Sequence, residues 1–114
     1  SNLGNNEHAA HTFYAFLSTP NSLSSGDRFM AIMNMHGAML TYQNSYYLVK
    51  EGTLDKEVQK SLLQLVNGIG KNPGFALFWK LRKSLFRKDF QIYIDEIIKS
   101  DQDKFEGIYE VKSE

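Results

Sequence analysis

The sequence predicts an all-α protein, a single-domain bundle of about five helices around a long central second helix. Three observations carry that expectation. Residues 24 to 52 contain no proline and place Phe29, Met30, Ile32, Met33, Met35, Met39, Leu40, Tyr42, Tyr46, Tyr47, Leu48 and Val49 at steps of three and four, the period of an α-helix. Proline occurs only at Pro20 and Pro73, each beside a polar or glycine-containing stretch that reads as a boundary. A chain of 114 residues with 42% apolar content is long enough to bury one core, so a single domain follows. The apolar stripe of residues 24 to 52 is too wide for a surface helix, and the other helices are expected to enclose it.

Each element has its own local warrant. A first helix is expected over residues 7 to 17, with Ala9, Phe13, Phe16 and Leu17 on its apolar face, ended by Pro20. Ser24 has the chemistry of an N-cap for the second helix. Its hydroxyl can accept from the Asp27 backbone N–H while the Asp27 carboxylate reaches back, as in a capping box. Gly52 closes that helix, since glycine enters the left-handed region without a side-chain clash. A third helix is expected from about residue 54 to 69, with Val58, Leu62, Leu65, Val66 and Ile69 facing inward. Asn72 and Pro73 open a fourth, reaching to about Phe86, because proline at the first helical position gives up an N–H that has no partner anyway. A fifth follows from about Asp89 to Lys99. Residues 1 to 6 are expected to be a flexible leader, residues 7 to 100 the helical domain, and residues 101 to 114 an acidic, partly ordered tail docking through Phe105 and Tyr109. With no initiator Met at residue 1, further native sequence is expected upstream.

Composition narrows the chemistry. Cysteine is absent, which removes thiol catalysis, disulfides and cysteine-based zinc sites together. Basic and acidic residues balance at thirteen each, so no net charge draws the chain to an anionic partner, and nucleic-acid binding is not expected. No run of eighteen apolar residues suggests a membrane span. Gly68, Gly70 and Lys71 do not form a phosphate loop, because Leu65 stands where the first glycine should be and Asn72 where the hydroxyl should be.

Three constellations remain as candidate sites. His36, Gln43 and Tyr47 stand seven and four apart on the central helix, where an imidazole, an amide and a phenol could share one polar pocket for a small ligand. The plainer reading is structural, since buried polar groups usually find hydrogen-bond partners within a fold. His8 and His11, with Glu7, could present two imidazoles on one face, but no third ligand accompanies them, so neither metal nor cofactor is expected. Lys80, Lys83 and Arg87 fall at steps of three and four in a stretch, residues 58 to 88, that holds seven basic residues and no acid. As one face of the fourth helix, beside Phe75 and Trp79, they could rest on anionic lipid headgroups. A solvated face paired with Asp95 and Glu96 is the plainer alternative.

The order of motifs also resembles a widespread family of uncharacterised bacterial proteins. The resemblance rests on Leu23-Ser24 before Asp27-Arg28, Tyr46-Tyr47 ahead of Glu51-Gly52, Leu54-Asp55, Pro73-Gly74, Phe78-Trp79, Leu85-Phe86, and Phe90 with Tyr93. Family members read L-T-P-E-E-R, E-x-x-Y-Y-Q, G-x-L-D, P-G-x-R-x-W-W and L-F-x-x-x-F in that order, and the match spans residues 8 to 99. Gln43 replaces the family's acid, Leu48 its glutamine, Ala76 its arginine and Phe78 its first tryptophan. What survives is the apolar and turn-forming skeleton. The resemblance implies an N-terminal transmembrane helix ahead of this domain, and with it a membrane-associated protein whose helical part faces the cytoplasm. The expected function is therefore a non-enzymatic interaction or scaffolding module, with an unknown protein partner or an anionic membrane surface, and homodimerisation through any uncovered apolar face. The rival expectation is a small-ligand sensor at His36, Gln43 and Tyr47.

Overall fold

A computed structural model describes residues 2–99, with side chains from residue 6 onward; the acidic tail and its expected docking through Phe105 and Tyr109 lie outside the described residues. The described chain forms α1 (Asn2–Ser18), α2 (Ser25–Lys50), α3 (Lys56–Ile69), α4 (Pro73–Arg82) and α5 (Lys88–Lys99), with 3-10 turns at Pro20–Ser22 and Lys83–Leu85 and no strand among these residues. The all-α bundle expected from periodicity is the fold observed.

Local chemistry sets the boundaries. Ser24 caps α2 by accepting from the Asp27 N–H at 3.1 Å. The Asp27 carboxylate, expected to complete a capping box, instead lies 3.9 Å from His8 Nε2 of α1. At the other end the Gly52 N–H donates to Val49 and the Thr53 N–H to Leu48, the paired bonds of a Schellman motif, with Gly52 at φ +76°. Asp55 caps α3 by accepting from Glu57 N at 3.0 Å. The fourth helix ends sooner than its periodicity predicts: after Arg82 the chain tightens into a 3-10 turn, and Phe86 is extended at φ −102°, ψ 164°. That kink turns Phe86 into the core, where it is 5% exposed, and leaves Leu81 and Leu85 outside.

Four phenylalanines make the centre. Phe16 of α1, Phe75 and Phe78 of α4 and Phe90 of α5 are fully buried, with Ile94 and Val66 beside them and Ala31, Met35, Met39 and Tyr42 supplied by α2. Helix α4 reaches this position by crossing α1 at Gly74. A Cβ there would overlap the Phe16 carbonyl oxygen and stand 2.7 Å from Leu17 Cα, so only glycine allows the two backbones to meet.

Two expectations about facing need correction. Helix α2 is not enclosed on all sides: Phe29, Met30, Met33, Leu40 and Leu48 are between 40% and 57% exposed. Its partners are shorter and gather on one side, so a helix of 26 residues, about 39 Å long, keeps an apolar face in water. In α3, Val58 and Leu65 point outward, while Leu62, Leu63, Val66 and Ile69 face the core. Residues 58 and 65 share a helical row, and that row lies just outside the buried arc.

Candidate functional site

The His36, Gln43 and Tyr47 row converges on one short segment, residues 86 to 89, where the chain leaves the 3-10 turn and starts α5. His36 lies at the aromatic end. Its ring is 4.9 Å from that of Phe86 and meets Phe78 edge-on at 6.2 Å, between centroids. Its Nδ1 is buried without a hydrogen-bond partner among the described residues. Burial disfavours the imidazolium and the Arg82 charge adds to the effect, so the pKa falls below 6.5 and the ring is neutral at pH 7. This is an apolar surrounding rather than the polar pocket expected.

Gln43 and Tyr47 hold the backbone and first turn of α5. Gln43 Oε1 accepts from the Arg87 N–H at 2.8 Å, and the Arg87 carbonyl in turn accepts from Gln91 N at 2.9 Å, the first bond of the helix. The Tyr47 hydroxyl donates to Asp89 Oδ1, while Lys50 Nζ stands 3.5 Å from Asp89 Oδ2. The Arg87 guanidinium covers the Tyr47 ring 3.7 Å from its centroid, a cation–π arrangement. Desolvation and the bond to Asp89 push the Tyr47 phenol up to about 12. The bond from Tyr47, together with Lys50, holds the Asp89 carboxyl below its ordinary value despite desolvation. Such a pair is a permanent donor and a permanent acceptor at neutral pH. It clamps α5 to α2 and keeps its protons.

Lys80, Lys83 and Arg87 do not share a helical face. Lys80 is exposed on α4, Lys83 belongs to the 3-10 turn, and Arg87 lies beyond the kink on Tyr47. Lys83 Nζ reaches Asp95 Oδ2 at 2.5 Å, and the Trp79 indole N–H donates to Asp95 Oδ1 at 2.8 Å. Burial would raise the Asp95 carboxyl, but those two donors and the charges of Lys83 and Lys99 outweigh it and hold the group ionised below its usual range. These residues border an open depression of about 350 Å³ between the end of α3, α4 and α5.

A second, smaller cleft of about 180 Å³ separates α1 from α2. His8 faces it with Nε2 3.5 Å from Thr12 Oγ1 and 3.9 Å from Asp27 Oδ1. One nitrogen thus serves both neighbours, which makes a local bridge rather than a proton relay. His11 is exposed on α1.

Sequence reasoning missed Asp89 and Trp79 as the polar partners in these clusters. An aspartate in the first turn of a helix was the available signal for Asp89; nothing in the spacing pointed to the Trp79 indole as a donor to Asp95. No protein-family model, curated protein or solved structure matches the chain. Among the described residues, no helix is long and apolar enough to cross a membrane.

His36 supplies a test of this arrangement by pH. Its folded pKa lies below the unfolded value of 6.5, so the unfolded chain binds the extra proton first as pH falls. Its contribution to stability is whole above pH 6.5 and is lost progressively below it. Urea midpoints measured at pH 7 and pH 5 should fall for the wild type and fall less for His36→Phe. An equal fall in both proteins would remove His36 as the source.

Proposed function

We propose that this chain is a non-enzymatic interaction module whose recognition surface is the exposed apolar row of α2. One observation carries the reading: Phe29, Met33 and Leu40, at 55%, 42% and 40% exposure, stand four and seven apart along one side of the central helix. A contiguous apolar row exposed on a long helix supports an interface reading. The polar side chains that a binding or catalytic site would need support the same view, because Gln43, Tyr47 and Asp89 are already committed to holding α5. The resemblance in motif order supports attachment to a bacterial membrane through a preceding segment, which would present the α2 row to partners at the inner surface.

Photo-crosslinking in cells tests the row. A photoreactive residue in place of Met33 should give a discrete adduct that disappears when Phe29 and Leu40 become serine, with thermal stability unchanged. The same probe at exposed Lys60 of α3 should give none. Sedimentation of the purified chain over a range of concentrations then decides whether the occupant is a second copy. Equal labelling from Met33 and Lys60, or an adduct indifferent to Phe29 and Leu40, would defeat the proposal.

A further inference from the structure

Helix α2 turns its buried residues, Ala31, Met35, Met39 and Tyr42 among them, to one side and leaves the opposite side in water. Along that open side Met30, Met33, Gly37, Leu40 and Asn44 follow in alternating steps of three and four, and all five are exposed. This is the spacing of the seam between two paired helices. From Phe29 to Val49 the chain carries no Asp, Glu, Lys or Arg, and His36 within that stretch is neutral at pH 7. Charge returns at the ends, as Asp27 and Arg28 before it and Lys50 and Glu51 after it. Arg82 of α4 meets Met33 Sδ at 3.4 Å and marks one edge of the face.

We propose that the occupant of this face is a second copy of the same helix, packed antiparallel across a two-fold axis at Gly37. The inference rests on the reading of the α2 row as a recognition surface and names its partner. The face has no charge to match against an oppositely charged protein, and each end offers one acid and one base, so antiparallel pairing sets no end against like charge alone. Gly37 stands at the middle of both the helix, Ser25–Lys50, and the seam, so an axis there brings every seam residue opposite another. In that register Met33 enters the hole between Gly37, Leu40, Thr41 and Asn44 of the facing helix, and Leu40 enters the one between Met30, Met33, Asn34 and Gly37. Glycine at the shared corner of both holes leaves room for them, since nothing lies within 4 Å of where its Cβ would be. Phe29, Met30, Met33, Leu40 and Leu48 are about half exposed, and at about 200 Å² for a large side chain they offer roughly 450 Å² per copy. With the small and polar residues between them, two copies clear the total of about 1,000 Å² that a specific interface needs.

A charge swap on the axis tests the copy and the register together. The wild-type chain should sediment as a dimer that dissociates on dilution. Gly37→Glu and Gly37→Lys should each be monomeric, because position 37 faces itself and like charges meet there, while an equimolar mixture of the two should dimerise again. Both variants should keep the monomer fold, since a Cβ at Gly37 meets nothing within 4 Å and either residue favours helix over glycine. With no native cysteine to interfere, Met30→Cys mixed with Asn44→Cys should oxidise to a linked dimer that neither variant forms alone. Should a charged variant fail to fold, this linkage still decides. A monomeric wild type whose Met33 photo-adduct persists in cells would overturn the second copy while leaving the row as an interface for another protein; loss of the adduct as well would remove the row itself. Dimers that survive in both charge variants, or Met30→Cys linking to itself, would overturn the antiparallel register.

Discussion

Gly74→Ala should destabilise the protein by about 2 kcal/mol or more, although helix propensity predicts the reverse. Alanine in a helix interior is favoured over glycine by about 1 kcal/mol. At Gly74 the added methyl would meet the backbone of Phe16 and Leu17, which cannot rotate aside as a side chain could. Overpacking of this sort typically costs about 1–3 kcal/mol, and more where backbone must move. Thermal melts should show a midpoint roughly 10 °C lower, on the scale that links stability to melting temperature in domains of this size. Gly37→Ala in α2 is the control, because a Cβ there meets nothing within 4 Å. It should be neutral or stabilising by up to about 1 kcal/mol. If the two variants shift in the same direction, the close crossing of α1 and α4 is not what positions the core.

Phe90→Ala should cost about 3–5 kcal/mol, the range for truncating a buried phenylalanine. Its ring is fully buried and lies 5.7 Å from those of Tyr42 and Tyr46, 5.8 Å from Phe86 and 6.3 Å from Tyr93. Removing it leaves a void bounded by rings from both α2 and the α5 segment, and those rings cannot close over it without losing contact with one another. Phe90→Leu should lose much less, since it keeps most of the volume. Urea unfolding of both variants checks the ordering. A loss below about 1 kcal/mol for Phe90→Ala would show that the site collapses freely and that the aromatic cluster is not a packed centre.

How far the residues alone disclosed this architecture depends on the range of the interaction concerned. The cap at Ser24, the stop at Gly52 and the start at Pro73 are decided by atoms within a few residues, and all three stand where the sequence puts them. Facing is a different matter. Periodicity says that Phe29, Met33 and Leu40 lie together, but whether another helix covers them depends on where α4 and α5 come to rest. Val58 and Leu65 illustrate the same gap, one row away from the buried arc of α3. The pair Pro73-Gly74 reads locally as turn chemistry, and its role in the crossing with α1 emerges only when Phe16 is brought beside it. His36, Gln43 and Tyr47 were legible as one row, while the segment they receive, forty or more residues later, was not.

The clamp between α2 and α5 has a wider consequence for the molecule. Its hydrogen bonds run from Tyr47 to Asp89, from Gln43 to Arg87 and from Tyr42 to Tyr93, spanning 42, 44 and 51 positions. Everything between, the whole of α3 and α4, is therefore stitched into a closed ring of chain. The seam closes that ring, while the crossing at Gly74 holds α4 against α1 separately. The clamp borders the exposed α2 face, since Leu40 and Tyr47 stand seven apart on one helical row, and so do Phe29, His36 and Gln43.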